Sequence, residues 1–212
     1  MNFLNKVPGP FLVFLGACAL SFGGLIVKSF EGANLWQILF WRSVFFSIVV
    51  LFFLIISHKK NFFTSIYKAG LPSLFGGIVL SCGYAGYVFA MYNTTVANAN
   101  FIIQTQTIFL AIFGYIFLKE KISKLTIASI FLAFGGIFLM LGSSLTTGQM
   151  AGNIVAFVMP ISFAVLILTV RKYPSVDMIP LQLIAGIGAV IIGYLFSSKI
   201  IVSSHDILLG FV

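Results

Sequence analysis

Long apolar stretches follow one another along the chain and are separated by short polar segments. Seven complete stretches cover residues 10–27, 35–57, 69–92, 97–118, 125–142, 153–170 and 178–197, and an eighth begins at Ile207. A helix needs about 20 residues to cross about 30 Å of hydrocarbon, and in lipid its backbone groups must bond to one another. The pattern therefore predicts an all-α, polytopic helical membrane protein with seven complete transmembrane helices in the bilayer.

Basic residues fall in every second gap between these stretches. With the N-terminus inside, this arrangement follows the positive-inside rule and predicts a multi-pass protein of the plasma or inner membrane with a cytoplasmic N-terminus. It also accounts for the net charge of +8 without nucleic acid as a partner. Apart from Arg42, which lies within a helix, the 12 basic residues divide into Lys6, Lys59, Lys60, Lys68, Lys119, Lys121, Lys124, Arg171 and Lys172 inside, and Lys28 and Lys199 outside.

The composition argues against a separate soluble domain and against an enzyme. Charged residues make up only 8% of the chain, whereas soluble domains carry about 25%. Cys18 and Cys82 both lie in predicted helices and give no disulfide framework. The sequence offers no zinc site, no paired carboxylates and no nucleophile–base pair, so neither a cofactor, a metal nor catalysis is expected.

A short motif occurs twice along the chain. Ser21-Phe22 followed by Lys28 recurs as Ser162-Phe163 followed by Arg171. The offset of about 140 residues spans five predicted helices, and an odd number places the two copies in opposite orientation, as in inverted-repeat transporters. The repetition predicts a five-helix unit over residues 1–145 and an incomplete second unit over residues 150–212 of a ten-helix fold.

Three segments carry a family resemblance: LGACALSFGGLIVKS at 15–29, QILFWRSVFFSIVVLFFL at 37–54, and TTVANANFIIQTQTIFLAIFGYIFLKEKISKLTIASIFLAFGGIFLMLG at 94–142. They resemble the EamA-type domain of the drug/metabolite transporter superfamily, notably at Phe40-Trp41-Arg42 and at Leu118-Lys119-Glu120-Lys121-Ile122. The resemblance implies a permease that exports amino acids or other metabolites. One departure is Thr107, where the family usually has proline, so a straighter fourth helix is expected here.

Three residues are structural or gating candidates. Arg42 lies about 10 Å into the second predicted helix from its outer end. A charge at this depth needs a partner or a hydrated cavity. Two interpretations stay open: an arginine that extends outward to headgroups or to Glu31, and one that contacts a solute or a gate. Glu120, at the inner end of the fourth helix, and Pro160, expected to kink the sixth, complete the set.

Polar side chains on the predicted fourth helix mark the candidate substrate-binding site. Asn100, Gln104 and Thr107 share one helical face, which could line a hydrated cavity. Hydrogen bonding between helices is the alternative. Tyr84 and Ser21 are expected to lie across from this face, and Tyr87 is a further candidate.

Small residues recur at i, i+4 spacing in two predicted helices. Such stripes let helix backbones approach closely, so they predict packing surfaces. The stripes are Ser73, Gly77, Ser81 and Ala85 in the third helix, and Ala185, Ala189 and Gly193 in the seventh.

The sequence predicts a secondary transporter that moves a small organic solute by alternating access. The alternative is an inactive or partner-dependent membrane fragment of such a transporter, because the second repeat is incomplete. A retinal photoreceptor is disfavoured, since the predicted seventh helix contains no lysine. Dimerisation, the substrate and the coupling ion are left open.

Overall fold

A computed structural model of the protein describes residues 8–58, 62–144, 149–174 and 176–211. Within these ranges the chain is helical and contains no strand, which confirms the all-α prediction. The helices are α1 (Gly9–Ser21), α2 (Gly23–Lys28), α3 (Leu35–His58), α4 (Phe62–Asn93), α5 (Val96–Ile103), α6 (Gln106–Leu118), α7 (Lys124–Ser144), α8 (Met150–Ala156), α9 (Val158–Lys172), α10 (Ile179–Phe196) and α11 (Ser204–Phe211).

The helical segments match the lengths that a membrane requires. Of the described chain, six segments are long and apolar enough to span a bilayer: Gly9–Lys28, Leu35–His58, Phe63–Asn93, Val96–Leu118, Met150–Lys172 and Ile179–Phe196. Lys124–Leu139 is a shorter apolar helix. The prediction of a polytopic membrane protein is confirmed, while the number of crossing helices, the division into two units and the inverted repeat stay predictions.

The long helix α4 lies at the centre of the packing. It contacts α10, α9, α8 and α3, and α10 also lies along α3. The main apolar cluster joins Ile38 and Leu39 of α3 to Val88 and Met91 of α4 and to Ile102 of α5. By contrast, α7 is largely exposed and lies at the periphery.

Small residues bring α10 close to its neighbours, as the spacing predicts. A Cβ atom added at Gly77 would lie 2.6 Å from Ile184 Cγ2 of α10. One added at Gly193 would lie 2.8 Å from the backbone nitrogen of Phe40 on α3. Only glycine allows such approaches, so the two stripes are confirmed as helix-packing surfaces.

Four of the described spans are interrupted partway along their length: at Phe22, at Gln104–Thr105, at Phe157 and, within α4, at Gly70, whose φ of 59° breaks the helical conformation. The interruption at Phe157 lies just before Pro160, which has no N–H to donate to the carbonyl of Ala156. The sixth span is thus interrupted close to Pro160, while the kink and the structural or gating role of this proline stay predictions.

The expectation of a straighter fourth helix is wrong. Helix α5 ends at Ile103 and α6 begins at Gln106, although no proline lies between them. The backbone N–H and the hydroxyl of Thr105 both donate to the carbonyl of Ile102, at 2.9 and 2.6 Å. This tightens the turn to i→i+3 spacing, since a threonine hydroxyl can compete with the helical ladder.

Candidate functional site

Three helices meet at Arg42. Its guanidinium lies over the ring of Tyr87 on α4, 5.8 Å from Cζ to the ring centroid. A Cβ atom at Gly23, in the first turn of α2, would lie 2.7 Å from the Tyr87 hydroxyl and 3.9 Å from Arg42 Nη2. The absence of a side chain at Gly23 therefore leaves room for this contact.

The charge of Arg42 is only partly compensated. No ion pair among the described residues includes it, and its Nη1 atom is buried without a hydrogen-bond partner. Glu31, one partner considered from the sequence, has an exposed side chain, and its backbone N–H donates to Asp206. A desolvated cation–π contact stabilises by about 2 kcal/mol, whereas inserting an arginine at the centre of a span costs about 2.5–3.5 kcal/mol. The contact with Tyr87 therefore offsets only part of the cost of burying the charge.

Tyr84 links α4 to α10. Its hydroxyl donates to Gln182 Oε1 at 2.9 Å, and its ring packs edge-on against Phe46 with centroids 5.5 Å apart. Sequence reasoning missed Gln182, although an amide in an otherwise apolar stretch was a signal that could have identified it.

Removing the Tyr84 hydroxyl should destabilise the protein. In Tyr84→Phe, Gln182 Oε1 loses its donor, and we expect a loss of about 1 kcal/mol in the free energy of unfolding. Tyr115→Phe is the matched control, because Tyr115 on α6 is 59% exposed. Thermal unfolding in detergent should show a lower midpoint for the first variant alone, and equal midpoints would contradict the bond between α4 and α10.

A second polar surface faces α7. Gln104 and Thr107 line a cleft of about 310 Å³ between α5–α6 and α7. Thr126 and Ser129 supply further polar groups from α7, and the rest of the lining is mainly apolar. Neither Tyr84 nor Tyr87 lines this cleft.

The remaining predicted site residues lie elsewhere. Asn100 is exposed on α5 and does not line the cleft. Ser21 is exposed at the end of α1, where its hydroxyl donates to the carbonyl of Cys18 at 2.6 Å. The described geometry thus distributes the predicted residues over several surfaces, and their joint role in solute binding stays a prediction.

An ion pair joins α6 and α9 at one end of the bundle. Arg171 Nη1 donates to both oxygens of Glu120 at 3.3 Å, and both side chains are about half exposed. Glu120 follows Lys119, which adopts the left-handed conformation with φ 55° and ends α6. Glu120 is therefore a partner of Arg171 rather than of Arg42.

Two further polar clusters, missed in the sequence, tie helix ends together. The Thr94 hydroxyl donates to Asn153 Oδ1 at 2.6 Å, joining the end of α4 to α8. His58 Nε2 lies 2.8 Å from Asp177 Oδ2, which also accepts from the Ser65 hydroxyl at 3.2 Å. An acidic residue directly before an apolar stretch is a helix-capping signal that would have singled out Asp177.

The first part of the chain matches a known protein family. The model of the EamA-like transporter family matches residues 7–142. Searches of the curated proteins and of the solved structures gave no significant match. Within the described ranges, no group of three or more His, Cys, Asp or Glu side chains could hold a metal ion.

Proposed function

Because the chain belongs to the EamA-like transporter family, we propose that it is a secondary transporter that moves small organic solutes, amino acids or other metabolites, by alternating access. The observation that carries this proposal is the family match, which runs from the N-terminal residues into α7. The six helical segments of the described chain that could span a bilayer fit a multi-pass transporter.

The interrupted spans support a solute path inside the bundle. In many transporters, discontinuous helices expose backbone groups at the substrate site. Here the interruption at Phe22 directly precedes Gly23, beside Arg42 and Tyr87. We propose that Tyr84 and Tyr87 face the solute on this side and that the Gln104–Thr107 cleft is a second polar surface along the path.

The ion pair of Glu120 with Arg171 is proposed as a latch at the inner end. It joins helices from the two predicted repeat units, and its half-exposed groups can separate into water at little cost. Such a contact can break and re-form while the buried helix contacts persist.

Counterflow in proteoliposomes tests the proposed function. Purified protein is reconstituted with an unlabelled solute inside, and the labelled solute is added outside, across amino acids, small carboxylates and sugars. We expect saturable accumulation of at least one label above its level in protein-free liposomes. A folded, monodisperse protein that accumulates none of them would contradict the proposal.

The orientation with a cytoplasmic N-terminus makes a separate prediction. Lys60 and Thr147 lie outside the described residues, and the distribution of basic residues places them inside and outside, respectively. Single cysteines at each position, with Cys18 and Cys82 replaced by serine, are treated with a membrane-impermeant maleimide in intact cells. Position 147 should react at once and position 60 only after lysis, and the reverse pattern would exclude this topology.

A further inference from the structure

We propose that Arg42 binds the anionic group of a small organic solute, a carboxylate or a similar monoanion, at a site that it forms with Tyr87 beside Gly23. This inference rests on the proposed transport function and assigns the chemical class of its substrate. It starts from the incomplete set of partners around the guanidinium.

Arg42 has donor capacity that the described protein does not use. A guanidinium carries five N–H donors in a planar fork. Its contacts are with Tyr87: the ring attracts the cation, and the hydroxyl accepts one side-chain hydrogen bond, which leaves the other donors of the fork unused. Nη1 is buried and unpartnered. An oxyanion with two oxygens matches this fork better than any neutral group does.

A ligand can reach the guanidinium from the part of Arg42 that is not covered by its neighbours. Gly23 packs closely against the Tyr87 hydroxyl and near Arg42 Nη2, so the backbone of α2 borders the site. Arg42 itself is partly exposed, although Nη1 is buried, so the side chain reaches the surface of the described protein. The Tyr87 hydroxyl can supply a further hydrogen bond to an anion.

The neighbouring aromatic residues indicate what the rest of the solute resembles. Tyr84 lies three residues before Tyr87, so the two share one face of α4. Phe46, four residues after Arg42 on α3, packs against the ring of Tyr84. A solute held by its anionic group at Arg42 would therefore place an uncharged, apolar portion against Tyr84 and Phe46.

A phospholipid headgroup offers the same oxyanion chemistry. Arg42 lies about 10 Å along α3 from the outer end of the helix, below the level at which phosphates reside. A diffusing solute can reach this depth through a hydrated path more readily than a headgroup can. The depth therefore favours a solute anion, and the experiment compares both sources.

Ligand-induced thermal stabilisation of the purified full chain, in neutral detergent at constant ionic strength, tests the site. The probes are matched pairs, butyrate with butyramide and L-leucine with L-leucinamide, together with inorganic phosphate and short-chain phosphatidylglycerol. We expect carboxylates to raise the unfolding midpoint saturably and the amides to leave it unchanged. Arg42→Gln should weaken carboxylate binding roughly tenfold or more, because a charge-assisted pair is lost.

Two further variants serve as a control and as a second test of the binding site. Lys172→Gln removes a cation that also lies over a tyrosine ring, 5.8 Å from the centroid of Tyr173, at the exposed end of α9, and should bind as the wild type does. Gly23→Ala keeps the charge but crowds the Tyr87 hydroxyl, and should reduce carboxylate affinity. It serves as the binding-site variant if Arg42→Gln does not fold.

Equal stabilisation by amides and carboxylates would overturn the proposal, as would unchanged binding in Arg42→Gln or stabilisation by phosphatidylglycerol alone. The result of this binding experiment can be distinguished from the result of the counterflow experiment. Carboxylate binding without any transport would refute the transport function and leave the anion site. Transport of amides as fast as carboxylates would refute the anion site and leave the transport function.

Discussion

Replacing Gly193 by leucine is expected to leave little folded protein, because α3 and α10 can no longer pack. A Cβ atom at this position would lie 2.8 Å from the backbone nitrogen and 2.9 Å from the Cα of Phe40. Backbone atoms cannot rotate away as the end of a side chain can. Overpacking a core costs about 1–3 kcal/mol, and a collision with backbone belongs at or beyond the upper end of that range.

The matched control for this substitution is Gly135→Leu on the peripheral helix α7. A Cβ atom at Gly135 would have no atom within 4 Å, and the residue is exposed. The control should elute as the wild type does in size-exclusion chromatography and unfold at a similar temperature. If both variants express and unfold alike, the close packing of α3 against α10 is incorrect.

Reversing the charge of Glu120 is expected to reduce transport roughly tenfold with little effect on stability. Glu120→Arg places a second cation beside Arg171, so the latch between α6 and α9 cannot close. Because exposed ion pairs contribute about 0–1 kcal/mol, the thermal midpoint should change little. The double variant Glu120→Arg/Arg171→Glu restores opposite charges and should recover most of the transport rate.

Counterflow rates of the single and double variants decide the role of this pair. Lys121→Glu is the control, because it changes the charge beside the pair by the same magnitude, with opposite sign, without removing either member. A double variant no faster than the single variant would show that the pair does not act as a latch.

The apolar spans could be predicted because the bilayer fixes the length of a helix and forces its backbone to bond internally. The spacing of Ala185, Ala189 and Gly193 likewise predicted a helix-packing surface from the sequence alone. In a span without charges, small residues at one helical face have few uses besides close packing. These features depend on each helix alone and not on its neighbours.

Partners between helices could not be read from single spans. Tyr84 and Gln182 are 98 residues apart in the chain, and Glu120 and Arg171 are 51 apart. The rotation of each helix about its axis determines such pairs, and a few polar positions do not fix that rotation.

The predicted face of the fourth helix illustrates a further limit. The shared face of Asn100, Gln104 and Thr107 assumes an uninterrupted helix of 3.6 residues per turn. The tighter turn at Gln104–Thr105 changes the phase between the two halves. Gln104 and Thr107 therefore line the same cleft while Asn100 does not.

The accessibility of Tyr84 to water most directly tests whether a solute path passes through the bundle. A cysteine at position 84, with Cys18 and Cys82 replaced by serine, is treated with an anionic methanethiosulfonate in reconstituted protein. A second protein, which keeps Tyr84 and native Cys82 and has only Cys18 replaced, is the control for lipid exposure, because Cys82 is exposed on the same helix two residues earlier and on a different face. The cysteine thiolate, which forms only where water reaches, attacks the sulfur of the reagent, forms a mixed disulfide and releases methanesulfinate.

If a hydrated path lies beside Arg42, the cysteine at position 84 should react with this reagent and Cys82 should not. A transported solute should slow the reaction at position 84. A folded protein in which position 84 stays unreactive, or reacts no faster than Cys82 and without protection by any transported solute, would contradict a solute path at this site.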